Sequence, residues 1–194
     1  MNVLVIPEDP VRDQYILQPI IEVMMTHLGR PRAKIRICQQ PRFRGIGHVL
    51  KWDMIKAVIE RHRPIDLFLL CVDRDGDENR QASLRRLEEQ ANGIIRQGQA
   101  FFAENAWQEL EVWLLAGQQD LPRDWNWKAI RAEGNPKEHY FLPYAGRRNV
   151  LDFPGEGRGK LAEEAASRYG RIRRLCREDI ANLEDRIKGW LANR

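Results

Sequence analysis

The segment Leu67–Val72 constrains the fold more than any other part of the chain. Its residues, LFLLCV, are all apolar, whereas a strand with one solvated face alternates apolar and polar residues. A continuous apolar run bounded by polar turns is typical of a strand that is covered on both faces, as in a parallel sheet with helices above and below it. The sequence therefore predicts a buried central strand at residues 65–72.

Strand-like and helix-like patterns alternate through the first 117 residues. Strands are predicted at residues 3–6, 33–39, 65–72 and 99–103, and helices at residues 11–28, 49–61, 79–95 and 106–116. This alternation is typical of an α/β fold with a mostly parallel, Rossmann-like sheet and helices on both faces. We interpret residues 1–117 as one domain, and residues 118–194 as a loop-rich and helical C-terminal extension packed on the same core.

Composition and charge limit the classes of function. No stretch approaches the roughly 18 apolar residues of a membrane span, and the N-terminus lacks the basic region of a signal peptide. The three cysteines are widely spaced and form no CxxC pair, so we expect a cytoplasmic protein without structural zinc. The chain has a net charge of +4, and its clustered arginines suit an anionic substrate held near metal ions.

Acidic residues follow three of the four predicted strands. They are Glu8 and Asp9 after the first strand, Asp73, Asp75 and Asp77 after the third, and Glu104, Glu109 and Glu111 after the fourth. Functional groups of parallel sheets collect at the carboxyl ends of the strands, so we expect several of these acids to lie close together. Neighbouring carboxylates repel each other unless a cation neutralises them. Oxygen ligands select Mg²⁺ or Mn²⁺, and the sequence therefore predicts a divalent metal site.

A DxD pair at a strand end also occurs in phosphatases of the haloacid dehalogenase type. Those enzymes place a nucleophilic aspartate after the first strand and continue the DxD pair with Thr or Val. In this chain Glu8 follows the first strand and Gly76 follows Asp75. Both features count against the haloacid dehalogenase type. A phosphatase that acts on small phosphoesters is kept as an alternative function.

Two segments, VLVIPEDPVRDQYILQPII at residues 3–21 and LFLLCVDRDGDEN at residues 67–79, resemble the TOPRIM domain of topoisomerases, primases and the overcoming-lysogenisation-defect nucleases. The downstream AENAWQELEVWLLAG, at residues 103–117, is similar to a segment of short, defence-associated bacterial TOPRIM-like proteins. The resemblance covers roughly residues 1–117. The chain departs from the family at Asp9, where a glycine usually follows the first glutamate.

The resemblance implies that Glu8, Asp73 and Asp75 bind one or two Mg²⁺ or Mn²⁺ ions, with Glu111 as a further ligand and Glu8 as an alternative general base. The implied activity is nuclease action on DNA or RNA in bacterial antiviral defence, alongside a separate ATPase or sensor chain. A binding module for nucleic acid or a partner, with a vestigial site, is the non-enzymatic alternative. Association of identical copies is left open.

Two acids have competing interpretations. Glu104 directly follows the fourth predicted strand, so the strand-end argument makes it a rival of Glu111 as the last metal ligand. Asp77 is either a third acid of the metal site or an acid at a helix N-terminus, where the helix dipole favours negative charge.

Basic residues in two glycine-containing segments are candidates for contact with a phosphate backbone. RFRGIGHV, at residues 42–49, contributes Arg42, Arg44 and His48, and GRGK, at residues 157–160, contributes Arg158 and Lys160. We also expect Lys160 to contact the scissile phosphate, with an ordinary surface lysine as the alternative. The segment is not a Walker A motif, because leucine follows the lysine in place of Ser or Thr.

Overall fold

The computed structural model describes residues 1–194 and contains one four-stranded sheet. The strands are β1 (Asn2–Ile6), β2 (Lys34–Ile37), β3 (Leu67–Asp73) and β4 (Ala100–Ala106). They lie in the order β2-β1-β3-β4, and each neighbouring pair is parallel. The predicted α/β fold with a parallel sheet is confirmed.

Ten α-helices connect and cover the strands. They are α1 (Gln14–His27), α2 (Ile46–Val49), α3 (Trp52–Arg61), α4 (Arg80–Asn92), α5 (Glu111–Ala116), α6 (Trp127–Ala132), α7 (Leu142–Arg147), α8 (Arg158–Ala166), α9 (Tyr169–Leu175) and α10 (Asn182–Ala192). Two π-helical turns, Lys137–Phe141 and Arg177–Ala181, lead directly into α7 and α10. None of the helices combines the length and the apolar character that crossing a bilayer requires.

The apolar run of β3 is buried on both faces of the sheet. Leu67, Leu69 and Cys71 belong to a core that includes α1 and helices of the C-terminal region. Phe68 and Leu70 belong to a second core, which α3 and α4 complete. Because side chains of a strand point alternately to opposite faces, two cores require an apolar residue at every position, which explains the composition of this strand.

The C-terminal region shares the first of these cores with the sheet. Buried residues of α7 to α10, among them Tyr144, Leu161, Ile172 and Ile187, lie in the same apolar cluster as β1 and α1. Helix α8 packs against both α1 and α5. Residues beyond 117 therefore form part of the packing that positions the first half of the chain.

Replacing Gly117 by alanine is expected to reduce stability, because α5 ends there against α8. A Cβ atom at Gly117 would lie 2.4 Å from Cα and Cβ of Ala165, and overpacking of this kind costs about 1–3 kcal/mol. Gly189→Ala, within α10 and with open space around the added Cβ, is the control and should gain about 0.5–1 kcal/mol. Urea unfolding measures both changes, and equal stability of the two variants would contradict this packing.

The strand after α4 is longer than the sequence pattern indicates. The predicted helix at 106–116 begins only at Glu111, because β4 stays paired with β3 as far as Ala106, opposite Asp73. Glu104 therefore lies inside the strand and not at its end. This difference decides which acids reach the edge of the sheet.

Candidate metal centre

Three carboxylates converge where β3 and β4 end. Asp73 is the last residue of β3, Asp75 lies in the turn that follows, and Glu109 lies in the loop after β4. One carboxylate oxygen from each lies within 4.8 Å of the corresponding oxygens of the other two. Oxygen ligands at such spacing suit a hard divalent cation. This acidic cluster, Asp73, Asp75 and Glu109, can hold a metal ion.

The acidic cluster lies where open α/β sheets bind ligands. The chain adds β2 on one side of β1 and then returns to add β3 on the other side. At such a reversal the connecting segments leave in opposite directions, which opens a crevice at the carboxyl ends of the two strands. Glu8 follows β1 and Asp73 ends β3, so the topology brings these two acids to the crevice.

Gln108 joins the two loops that carry the acidic cluster. Its backbone oxygen accepts hydrogen bonds from the amides of Arg74 and Asp75 at 2.7 and 3.1 Å, and its side-chain oxygen accepts from the amide of Gly76 at 2.9 Å. Asp75 and Gln108 have φ values of 52° and 74°, which are uncommon for residues other than glycine. Strained backbone of this kind concentrates at functional sites, and here the hydrogen bonds between the loops hold it.

A direct bond also fixes the orientation of one ligand. The amide of Leu110 donates to Oδ1 of Asp73 at 2.8 Å, across the gap between the two loops. The amide of Lys137 donates to Oε2 of Glu109 at 2.7 Å. Each of these carboxylates keeps its second oxygen free of these bonds, so both can still offer an oxygen to a cation.

Glu8 adds a buried, unpaired carboxylate oxygen near the acidic cluster. Its Oε2 atom is buried and has no hydrogen-bond partner. The pKa of Glu8 is raised to about 7, mainly by burial and also by the charge of Asp75, while the charge of Arg80 lowers it. Since buried polar atoms normally have partners, an orphaned carboxylate oxygen beside the acidic cluster fits a site built for a cation.

The surroundings of the acidic cluster are strongly acidic. Burial, followed by the charges of Glu111, Asp13 and Glu8, raises the pKa of Asp73 well above its usual range. Burial also raises the pKa values of Asp13 and Glu109 to about 7, and Glu111 adds to the effect in both cases. A bound cation would relieve this repulsion. The sequence interpretation does not name Asp13, and it names Glu109 among the acids after the fourth strand but not as a metal ligand.

In the metal-free protein, stability is expected to fall between about pH 4 and pH 7. Glu8, Asp13 and Glu109 have pKa values of about 7 when folded, above their values in an unfolded chain. Their protonated forms therefore favour the folded state below the unfolded pKa, and this contribution is lost as pH rises through 7. Mg²⁺ or Mn²⁺ should raise the melting temperature more at pH 8 than at pH 5.5, because protons compete for the same oxygens. Thermal unfolding in EDTA and in metal measures this, and equal metal effects at both pH values would contradict it.

Two other predicted ligands lie outside the acidic cluster. Oδ1 of Asp77 accepts from the amide of Asn79 at 2.9 Å, so its carboxylate serves the start of α4, as the alternative interpretation holds. Glu104 is 1% exposed within β4 and accepts a hydrogen bond from Nδ2 of Asn182 at 2.8 Å. The prediction that Glu104 follows the strand end is wrong, because β4 continues to Ala106.

Glu111 lies near the acidic cluster but has a cation of its own. Its Oε1 atom is 2.6 Å from Nη2 of Arg158, and both side chains are buried. Arg158 also donates to Oε2 of Glu156 at 2.7 Å. Arg158 is therefore unavailable to a phosphate backbone in this structure, because Glu111 and Glu156 occupy its guanidinium.

The remaining basic candidates lie at the surface. The ammonium of Lys160 sits 4.7 Å from the ring centroid of Phe153 and forms no ion pair with the acidic cluster. Arg42, Arg44 and His48 line a shallow basic cleft of about 690 Å³ together with Lys51. The structure thus brings together Arg42, Arg44 and His48, whereas Lys160 contacts Phe153 and forms no ion pair.

Comparisons with known proteins do not assign the chain to a family. Neither a protein-family model, nor a curated protein, nor a solved structure matches the chain. The resemblance to TOPRIM domains stays a prediction from sequence motifs. The geometry of the site is therefore the basis for a proposed function.

Proposed function

We propose that this protein is a Mg²⁺-dependent nuclease that hydrolyses phosphodiester bonds of DNA or RNA. The observation that carries the proposal is the acidic cluster at the sheet edge, with ligand oxygens within 4.8 Å of one another. An all-oxygen ligand set is the kind that Mg²⁺ prefers. Bound Mg²⁺ supplies charge stabilisation at the phosphate and lowers the pKa of water.

The chain's own residues divide the remaining tasks. Asp73, Asp75 and Glu109 would hold the cation. Glu8 is suited to take up a proton from the attacking water at Oε2, which has no other partner. A general base works best with a pKa near the operating pH, and burial raises the pKa of Glu8 to about 7.

The basic cleft is the proposed contact surface for the nucleic-acid backbone. Arg42, Arg44 and Lys51 line it, and none of the three forms an ion pair within the chain. Exposed cations without carboxylate partners keep their full charge for phosphate groups. His48, in the same cleft, has a buried Nδ1 atom without a partner.

Replacing both Arg42 and Arg44 by alanine is expected to weaken nucleic-acid binding and to reduce its salt dependence. Each lost phosphate contact lowers the slope of log K against log salt by about one, so the double variant should lose about two. Fluorescence anisotropy with a labelled oligonucleotide at several salt concentrations measures the slope. Hydrolysis of a small phosphodiester should stay unchanged.

The matched control is the double change Arg30→Ala with Arg32→Ala. Both arginines are exposed and precede β2, at the end of the sheet opposite to the acidic cluster. The control variant should bind nucleic acid with the same slope of log K against log salt as the unaltered protein. An unchanged slope in the Arg42 and Arg44 variant would remove the basic cleft from the proposal.

The decisive experiment incubates purified protein with plasmid, single-stranded DNA and tRNA in Mg²⁺, Mn²⁺ or EDTA. Cleavage in metal that EDTA prevents is the expected result, and the panel also separates DNA from RNA. Hydrolysis of p-nitrophenyl phosphate without cleavage of any polymer would favour a phosphatase. Metal-independent binding without cleavage would favour a binding module. A role in antiviral defence, with a separate ATPase or sensor chain, remains part of the proposal on the sequence resemblance alone.

A further inference from the structure

A second cleft, of about 420 Å³, opens beside the acidic cluster. Its walls come from the loop after β3, from α4, from the end of β4 and from the π-helical turn before α10. Arg74 lines it and directly follows Asp73 of the acidic cluster. The two features therefore share one loop, although they use different side chains.

The wall of this cleft contains three arginines together with acidic residues. Arg74, Arg85 and Arg177 line it, and none of them forms an ion pair. The guanidinium of Arg74 lies 4.0 Å from the ring centroid of Trp107. Of the acids in the wall, Glu178 and Asp179 pair with Arg131, and Glu104 accepts a hydrogen bond from Asn182, whereas Glu78 forms no ion pair.

Two buried acceptors in the same wall have no donor. Oδ1 of Asn105 and Oδ1 of Asp179 lack hydrogen-bond partners, and the two residues are 5% and 1% exposed. The other oxygen of Asp179 is fully used by Trp107, Trp113 and Arg131. Since native proteins leave few buried polar atoms unpaired, a ligand with N–H donors that entered this wall would satisfy both acceptors.

We propose that this cleft binds one nucleotide unit of the substrate strand. Arg85 and Arg177 would contact its phosphate, and the base would stack on the guanidinium of Arg74, as unpaired bases do on arginine planes. Amino groups of the base would donate to Asn105 and Asp179. The volume lies within the range of small-ligand pockets. A bound nucleotide explains why arginines without ion pairs and acceptors without donors lie in one wall. A site for a simple anion would need only the arginines.

The inference rests on the proposed function and specifies its substrate. A base can enter such a cleft only when it is unpaired or turned out of a duplex. The preferred substrate is therefore a single-stranded segment, with an unpaired base beside the scissile bond. Binding of a nucleotide can be measured in EDTA, where no cleavage takes place, so the two proposals can fail separately.

Isothermal titration with single nucleotides, in EDTA, tests the cleft on the unaltered protein. The probes are GMP, AMP and ribose 5-phosphate, with inosine 5′-monophosphate and purine riboside 5′-monophosphate as partners that lack one amino group. We expect GMP or AMP to bind at least about tenfold more tightly than ribose 5-phosphate and than its own amino-free partner, because an unpaired buried acceptor discriminates strongly. Equal affinity for ribose 5-phosphate would reduce the cleft to an anion site and overturn the proposal, as would the absence of binding.

Surface substitutions locate the binding without disturbing the fold. Arg85→Ala and Arg177→Ala should each weaken nucleotide binding by about fivefold or more, because each removes a charge-assisted contact. Arg86→Ala and Arg174→Ala, exposed neighbours outside the cleft, should leave it unchanged. Asn105→Ala should abolish the preference for the amino-bearing nucleotide, and the amino-free probes test the same point if that variant does not fold. Loss of binding in the control variants and not in the cleft variants would place the ligand elsewhere.

Asp75→Asn separates this inference from the nuclease proposal. This variant should bind nucleotides as the unaltered protein does, since Asp75 does not line the cleft. If the unaltered protein binds nucleotides but cuts no substrate, the cleft stays assigned and the nuclease proposal is refuted. Cleavage without preference for single strands and without nucleotide binding would refute the cleft alone.

Discussion

Asparagine in place of Asp73 or Asp75 is expected to reduce Mg²⁺-dependent cleavage by about 10³-fold in each case. A metal ion contributes several kcal/mol to stabilising the transferring phosphoryl group, and each 1.36 kcal/mol is a factor of ten in rate. Asparagine keeps the shape of the side chain, and its oxygen can still accept the hydrogen bond that Leu110 donates to Asp73. It removes the negative charge on which cation binding depends.

The fold of both variants should be intact, and the metal-free Asp73→Asn protein should be at least as stable as the parent. Asp73 lies in the repulsive field of Glu111, Asp13 and Glu8, so removing its charge relieves repulsion. Asp77→Asn is the control, because its carboxylate bonds to the start of α4 and not to the acidic cluster. Plasmid and tRNA cleavage rates give the result, and parental rates in the Asp73 and Asp75 variants would refute the metal site.

The second large effect is on stability and concerns the buried ion pair. Arg158→Met should cost about 3–5 kcal/mol, because it leaves the charge of Glu111 buried without a partner. Arg158 donates to Oε1 of Glu111 from two nitrogens, at 2.6 and 2.9 Å, and the two side chains are only 2% and 7% exposed. The double variant Arg158→Met with Glu111→Gln should recover much of the loss, since neither charge then remains.

Arg148→Met provides the comparison for this effect. Arg148 also pairs with two carboxylates, Asp120 and Glu164, but it is 29% exposed. Surface pairs contribute about 1 kcal/mol or less. Urea unfolding at pH 7 gives the free energy of unfolding of each variant. If Arg158→Met loses no more stability than Arg148→Met, the substitution does not leave a buried, unpaired charge at Glu111.

The parts of the fold that follow from the sequence are those with a local signal. The run LFLLCV predicts β3 because burial on both faces requires apolar residues throughout, and Asp73 and Asp75 are conspicuous because acids interrupt it. Glu109 has no comparable signal. Its place in the acidic cluster depends on a loop in which Gln108 adopts a left-handed conformation and bonds to the turn after β3, and that contact is tertiary.

Other differences have similar causes. Asp13 precedes α1 and resembles any acid at a helix start until the packing of α1 buries it. Helices α6 and α7 have six residues each, too few for a clear period among the glycines and tryptophans around them. Arg158 has the appearance of a surface cation in a glycine-rich segment, and only the approach of Glu111 from α5 explains its burial.

The ion pair between Glu111 and Arg158 also limits how this protein can be divided. One partner lies in α5 and the other begins α8, so a fragment ending at residue 117 would retain a buried acid next to the acidic cluster and lose the cation that neutralises it. The same cut would uncover the apolar surface of α1 against which α8 packs. Residues 1–117 are consequently no portable module, and a chimera that transplants the site into another scaffold must carry α8 with it.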